Sequence, residues 1–173
     1  MDWSPFVLCP AGEAAPGPRG MATPEGLGDR LRTAAFAELQ AREAFRWAAA
    51  ELPGAPDDLR AAWTRMAAEE DVHLGLLLDR MAELGVSAAE RPVSDRLWRA
   101  LSACRTVAEF VVFMKTAEER GRAAEEVFRD KLAGRDPVTA AVFARIAADE
   151  EGHIALGARF AAEYGQNSHR CEF

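Results

Sequence analysis

The sequence predicts an all-α fold, a four-helix bundle whose long middle crossover carries a short extra helix. Apolar and small residues recur at helical spacing along most of the chain, and strand-forming runs of Val, Ile, Thr and Tyr are nearly absent. Pro and Gly punctuate that pattern at the ends of the long stretches. Residues 36–85 also align with residues 116–165 without a gap, which implies two copies of one helical hairpin. With 173 residues, 49% of them hydrophobic and 28% charged, the chain has material for one domain around one core.

Each element follows from a local signal. Residues 1–28 contain Pro10, Pro16, Pro18 and Pro24, spaced too closely for regular structure, and read as a flexible N-terminal arm or one draped over the domain. The bundle is expected over 29–165. Its first helix runs from Leu31 to Leu52 on Leu31, Ala34, Ala35, Ala41, Phe45 and Ala48, and Pro53-Gly54 ends it. Asp57 or Asp58 can cap a second helix carrying Leu59, Trp63, Met66, Leu74, Leu77 and Met81, which stops at Gly85. In the crossover, Ser94 can cap a short helix through Trp98 and Leu101. A third long helix spans about Thr106 to Ala133 and ends at Gly134; Pro137 opens a fourth that ends near Gly165. The tail 166–173 reads as frayed.

Sixteen of the fifty positions aligned by the repeat are identical, and six of these are Ala on Ala, which an Ala-rich chain produces readily. The weight rests on the others. They include Glu38 with Glu118, Arg42 with Arg122, Gly54 with Gly134, Glu70 with Glu150, His73 with His153, and Gly85 with Gly165.

Residues three apart on a helix share a face, so Glu70 and His73 point the same way, as do Glu150 and His153. In both helices that face is the apolar one, marked by Trp63, Met66 and Leu77 in the first copy and by Val142, Ile146 and Phe160 in the second. Glu38 and Glu118 interrupt the apolar stripes of the other two long helices. Four carboxylates and two imidazoles then enter the core, where an uncompensated carboxylate costs several kcal/mol. Two divalent ions would balance the four negative charges. A Glu from each of two helices with a Glu-x-x-His from each of the other two is the ligand set of di-iron and di-manganese carboxylate bundles. The bland alternative makes these residues charged positions on amphipathic helices, with the two His satisfied in the core.

Other acidic residues stay open between two roles. Glu69 and Asp149, each just before a Glu of the set, can orient a neighbouring His or simply face water. Glu125 lies seven residues after Glu118, where its repeat partner is Phe45, and reads as an extra ligand, a proton relay or a solvent-facing group near a helix end. Tyr164 is three turns from His153, about 16 Å along the axis, too far for a tyrosyl radical beside metals.

A formal charge of -7 disfavours attraction to phosphate backbones, so no nucleic-acid partner is expected; Arg91, Arg96, Arg99 and Arg105 read as a solvated run. Cys9, Cys104 and Cys171 are odd in number and widely spaced, which argues against a disulfide framework and for a reducing compartment. Without a secretory pattern or an apolar stretch of membrane-spanning length, a cytoplasmic protein that needs no membrane is expected.

The motifs Ala37-Glu38-Leu39-Gln40-Ala41, Glu70-Asp71-Val72-His73, Glu118-Glu119-Arg120-Gly121 and Glu150-Glu151-Gly152-His153 resemble those of the ferritin-like superfamily, which includes rubrerythrins, bacterioferritins and bacterial tRNA hydroxylases. The nearest likeness is to a little-characterised bacterial ferritin-like family, over residues 30 to 165. The resemblance implies an up-down-down-up bundle, Glu38, Glu70, His73, Glu118, Glu150 and His153 as metal ligands, and Glu70 and Glu150 as carboxylates bridging both ions. It implies two iron ions, although such oxygen-rich sites also accept manganese or a mixed Mn/Fe pair. The chain departs from relatives in having no four-cysteine rubredoxin module, no haem-ligand signal and no basic surface suited to tRNA. The expected function is oxygen or peroxide activation of oxidase or hydroxylase type, with a small-molecule substrate and an electron donor that the sequence leaves unnamed. The alternatives are a ferroxidase or iron-handling protein and a metal-stabilised, non-enzymatic helical module. The reading leaves room for a homodimer.

Overall fold

The computed structural model describes residues 1–164; the tail expected to fray, with Cys171, lies outside the described residues. Five helices follow in order: α1 (Pro24–Glu51), α2 (Asp57–Glu83), α3 (Arg96–Leu101), α4 (Val107–Leu132) and α5 (Pro137–Tyr164). The described residues contain no strand, only an isolated bridge between Leu8 and Val93. No helix among them is long and apolar enough to cross a membrane.

The helix ends show which local signals govern. α1 begins at Pro24, ahead of the start expected at Leu31, because proline is pre-set for a first helical position and the Thr23 hydroxyl accepts from the Gly26 amide at 3.1 Å. Gly26 is a close-approach residue rather than a loop signal. A Cβ there would lie 1.9 Å from the carbonyl oxygen of Gly20. Asp57 and Asp58 sit inside the first turn of α2, where the helix dipole favours acids, instead of preceding it. α3 takes Asp95 rather than Ser94 as its N-cap residue, and Asp95 turns its carboxylate to Arg99 Nε at 2.8 Å instead of capping. α4 starts in a full capping box between Thr106 and Glu109.

Gly85 ends α2 with φ of +67°. The Val86 amide donates to Met81 O at 2.8 Å and the Gly85 amide to Ala82 O at 3.1 Å, so two otherwise orphaned carbonyls are satisfied. Gly85→Ala is expected to cost about 1 kcal/mol, because a Cβ disfavours that left-handed backbone. Urea unfolding of the variant against the native chain reads this directly.

The chain divides into two compact units. The first joins residues 1–47 and 61–102; the second joins 48–60 with the chain from Ala103 onward. In the first, Leu31, Ala35, Phe36, Leu39 and Phe45 of α1 and Trp63, Met66, Leu74, Leu77 and Met81 of α2 are buried. Residues 1–23 lie on this unit: Trp3 meets Phe36 and Trp98 with ring centroids 5.5 and 5.9 Å away, and Phe6 meets Phe36 at 5.0 Å. In the second unit, α4 and α5 bury Phe110, Val111, Met114, Phe143, Ile146 and Phe160, while Arg60 fastens the α1–α2 turn by donating to the carbonyls of Ala49, Leu52 and Ala55.

An ion-pair hub fixes the arm. The Asp29 carboxylate is buried and accepts from Arg19 Nη2 at 2.6 Å, from Arg32 Nη1 at 2.9 Å and from Arg91 Nη1 at 2.5 Å. The Arg19 hydrogen bonds, with Arg91 nearby, hold this carboxyl well below the usual range against the opposing effect of burial.

Candidate metal centre

In the first unit the stripe that forms the core of α2 carries Glu70 and His73 inward, and α1 presents Glu38 to them. Glu38, Glu70 and His73 are 7%, 0% and 1% exposed. His73 Nδ1 stands 3.4 Å from Glu70 Oε2 and 3.8 Å from Glu38 Oε2. Each of the three offers a ligand atom within 4.8 Å of the others'.

The second unit builds the same chemistry from α4 and α5. Glu118, Glu150 and His153 are 8%, 2% and 3% exposed. His153 Nδ1 lies 3.1 Å from Glu150 Oε2, and the three residues again bring ligand atoms within 4.8 Å of one another.

Charge makes these trios unusual as plain core. The arginine four residues after the α1 glutamate, Arg42, pairs with Glu43 and with exposed Asp71; its counterpart Arg122 pairs with exposed Glu126 and Glu151. Those cations bind acids on the rim. Each trio holds two carboxylates and one imidazole almost free of water, and such groups persist when a cation or a shared proton compensates them. Hard carboxylate oxygens with one borderline nitrogen suit iron, manganese or zinc. The donor set of each trio therefore fits one divalent ion.

The remaining sequence candidates separate by burial. Glu69 and Asp149 are exposed as residues, and Asp149 lies 3.8 Å from Arg145. Glu125 is 5% exposed, which removes the solvent-facing option, yet it belongs to neither trio. Its burial was legible only through the repeat, where the matching Phe45 is fully buried. Tyr164 stacks on Phe160 at 6.1 Å. Sequence reading missed the buried Asp29 and Arg32 and the role of Gln40, whose side-chain oxygen accepts from the Trp98 amide at 3.0 Å. Only the three-residue spacing of Asp29 and Arg32 hinted at a pair.

Residues 7–171 match the family described as "Protein of unknown function (DUF455)". No curated protein matches the chain. Among solved structures, the bacterioferritin-related protein from Bacteroides fragilis, described as a dodecameric thioferritin, is similar with a TM-score of 0.71 and 20% identity, over 87% of this chain and 93% of that one. That likeness is one of fold, and the fold is a ferritin-like helical bundle.

Proposed function

Since the chain belongs to the DUF455 family, whose description assigns no activity, we propose from the site itself that it is a di-metal carboxylate protein that activates oxygen or peroxide as an oxidase or hydroxylase. The observation that carries the reading is the pair of buried Glu-Glu-His trios, each with two carboxylates and one imidazole as donors suited to a divalent ion. In it, Glu38, Glu70, His73, Glu118, Glu150 and His153 would hold the ions, with Glu70 and Glu150 the candidates for carboxylates shared between them. A redox-active iron pair supplies two-electron chemistry toward dioxygen or peroxide when bound; manganese at one or both positions would do so at a different potential.

The chain's own groups do the rest. Four carboxylates and two imidazoles keep the centre neutral with two divalent ions, and the apolar stripes around them exclude water that would otherwise compete for the ligands. The substrate is a small molecule, and the electrons come from an external donor.

Ferrous protein prepared without oxygen tests the reading. Oxygen uptake is expected to rise on adding a substrate and a reductant, and protein carrying zinc should show none. A second reading, iron oxidation and handling, is favoured by the likeness to a bacterioferritin-related protein. It predicts instead that oxygen is consumed in proportion to added ferrous ion alone, with more than two irons retained per chain.

A further inference from the structure

A cavity whose lining includes no residue of either trio lies in the first unit between residues 15–18 of the arm, one face of α1, and residues 91–97 of the crossover. Its volume is about 190 Å³. That exceeds the roughly 150 Å³ of an engineered apolar cavity that admits benzene. The walls are chiefly apolar, with Phe36, Pro16, Pro18, Pro92 and Leu97 among them. One end is polar and positive. The ionisable side chains that line it are Asp29, Arg32 and Arg91, one negative against two positive.

The guanidinium groups at that end have donors to spare. Arg32 is 2% exposed. Of its five N–H groups, Nε and Nη2 reach Ser87 O, Nη2 also reaches Glu90 and Nη1 reaches Asp29, so one Nη1 hydrogen remains. Arg91 uses one Nη1 hydrogen on Asp29 and one Nη2 hydrogen on Gly17 O, leaving three of its five. Ser94, part-exposed, also lines the cavity and carries a hydroxyl that can donate to an anion. The Arg91 side chain is 24% exposed at the mouth of the cavity, so its spare donors stand open to an incoming group, and an acceptor-rich anion satisfies several of them at once.

We propose that this cavity is a binding site for a small monocarboxylate with a ring-sized apolar body, its carboxylate on Arg32, Arg91 and Ser94 and its body against Phe36 and the prolines. The site stands independently of the metal reading, since no residue of either trio lines it.

Calorimetric titration of the full chain without added metal tests this, with benzoate, benzyl alcohol and inorganic phosphate as probes. Benzoate is expected to bind saturably at one per chain, at least about tenfold more tightly than benzyl alcohol, which lacks the charge, or phosphate, which lacks the body. Arg91→Met should weaken benzoate about tenfold or more. Ser94→Leu, which fills the cavity from the crossover and leaves the ion-pair hub intact, should abolish binding even if Arg91→Met proves unstable. Absence of saturable benzoate binding, phosphate binding as tightly as benzoate, or undiminished affinity in Ser94→Leu would each overturn the assignment.

Discussion

Replacing Glu70 or Glu150 with alanine is expected to deplete bound metal more severely than replacing Glu38. A bridging carboxylate contacts both ions and a terminal one contacts a single ion, so losing the bridge weakens both positions together. Loss of one negative charge is common to all three variants. Charge alone therefore predicts equal effects, whereas bridging predicts affinity at least about tenfold lower in Glu70→Ala and Glu150→Ala than in Glu38→Ala. All three residues are buried, at 0%, 2% and 7% exposure, so truncation leaves cavities of similar kind. Helical content measured beside metal content separates unfolding from lost ligation. The metal-free variants should be no less stable than the metal-free native chain, since removing one of several clustered carboxylates relieves their repulsion. Equal metal loss across the series would reject the bridging role.

The second large effect concerns Asp29. Its replacement by alanine strips Arg91 of its ion pair and leaves Arg19 and the nearly enclosed Arg32 to share Glu90 alone, and breaking a buried pair in this way is expected to cost about 3 kcal/mol. The expected result is a lowered unfolding midpoint together with early proteolytic cleavage before Pro24, because the hub is what joins Arg19 of the arm to α1. Pairing Asp29→Leu with Arg32→Met should restore much of the stability, because the buried guanidinium leaves with its carboxylate and only the part-exposed Arg91 loses its ion pair. Acid provides a parallel test. Asp29 is depressed in the folded protein, so its contribution is complete above the ordinary carboxylate pKa of about 4 and is lost only as pH falls through the lower folded value. Emission from Trp3, Trp47 and Trp98 should hold steady through mildly acidic solution and change at strongly acidic pH. In Asp29→Asn that step should vanish.

The parts of the fold that were legible in the sequence are those determined over a few residues. Pro137 opening α5, Gly85 closing α2 and the inward face shared by Glu70 and His73 all follow from one or two turns of helix. What stayed hidden depends on partners far along the chain. Gly26 falls in the stretch read as an arm, but it lies within α1, where the Gly20 carbonyl comes so close that a Cβ would meet it at 1.9 Å. Arg32 gives no sign of burial until Ser87 and Glu90, 55 and 58 residues away, close over it. Glu125 is a third kind of case. Its neighbours in sequence fit a solvated helix end equally well, and packing rather than periodicity decides its 5% exposure. Of the candidate centre, the Glu-x-x-His geometry was readable because both residues lie on one helix. The approach of Glu38 to His73 is a matter of how α1 packs on α2.

Anaerobic titration of the metal-free chain with ferrous ion, followed by calorimetry and by elemental analysis of the product, tests the central claim most directly. Two equivalents per chain are predicted for the native protein and fewer than two for His73→Ala or His153→Ala, with little binding once both histidines are replaced. A native chain that takes up no ferrous ion saturably, or a doubly substituted chain that still binds two equivalents, would contradict the account.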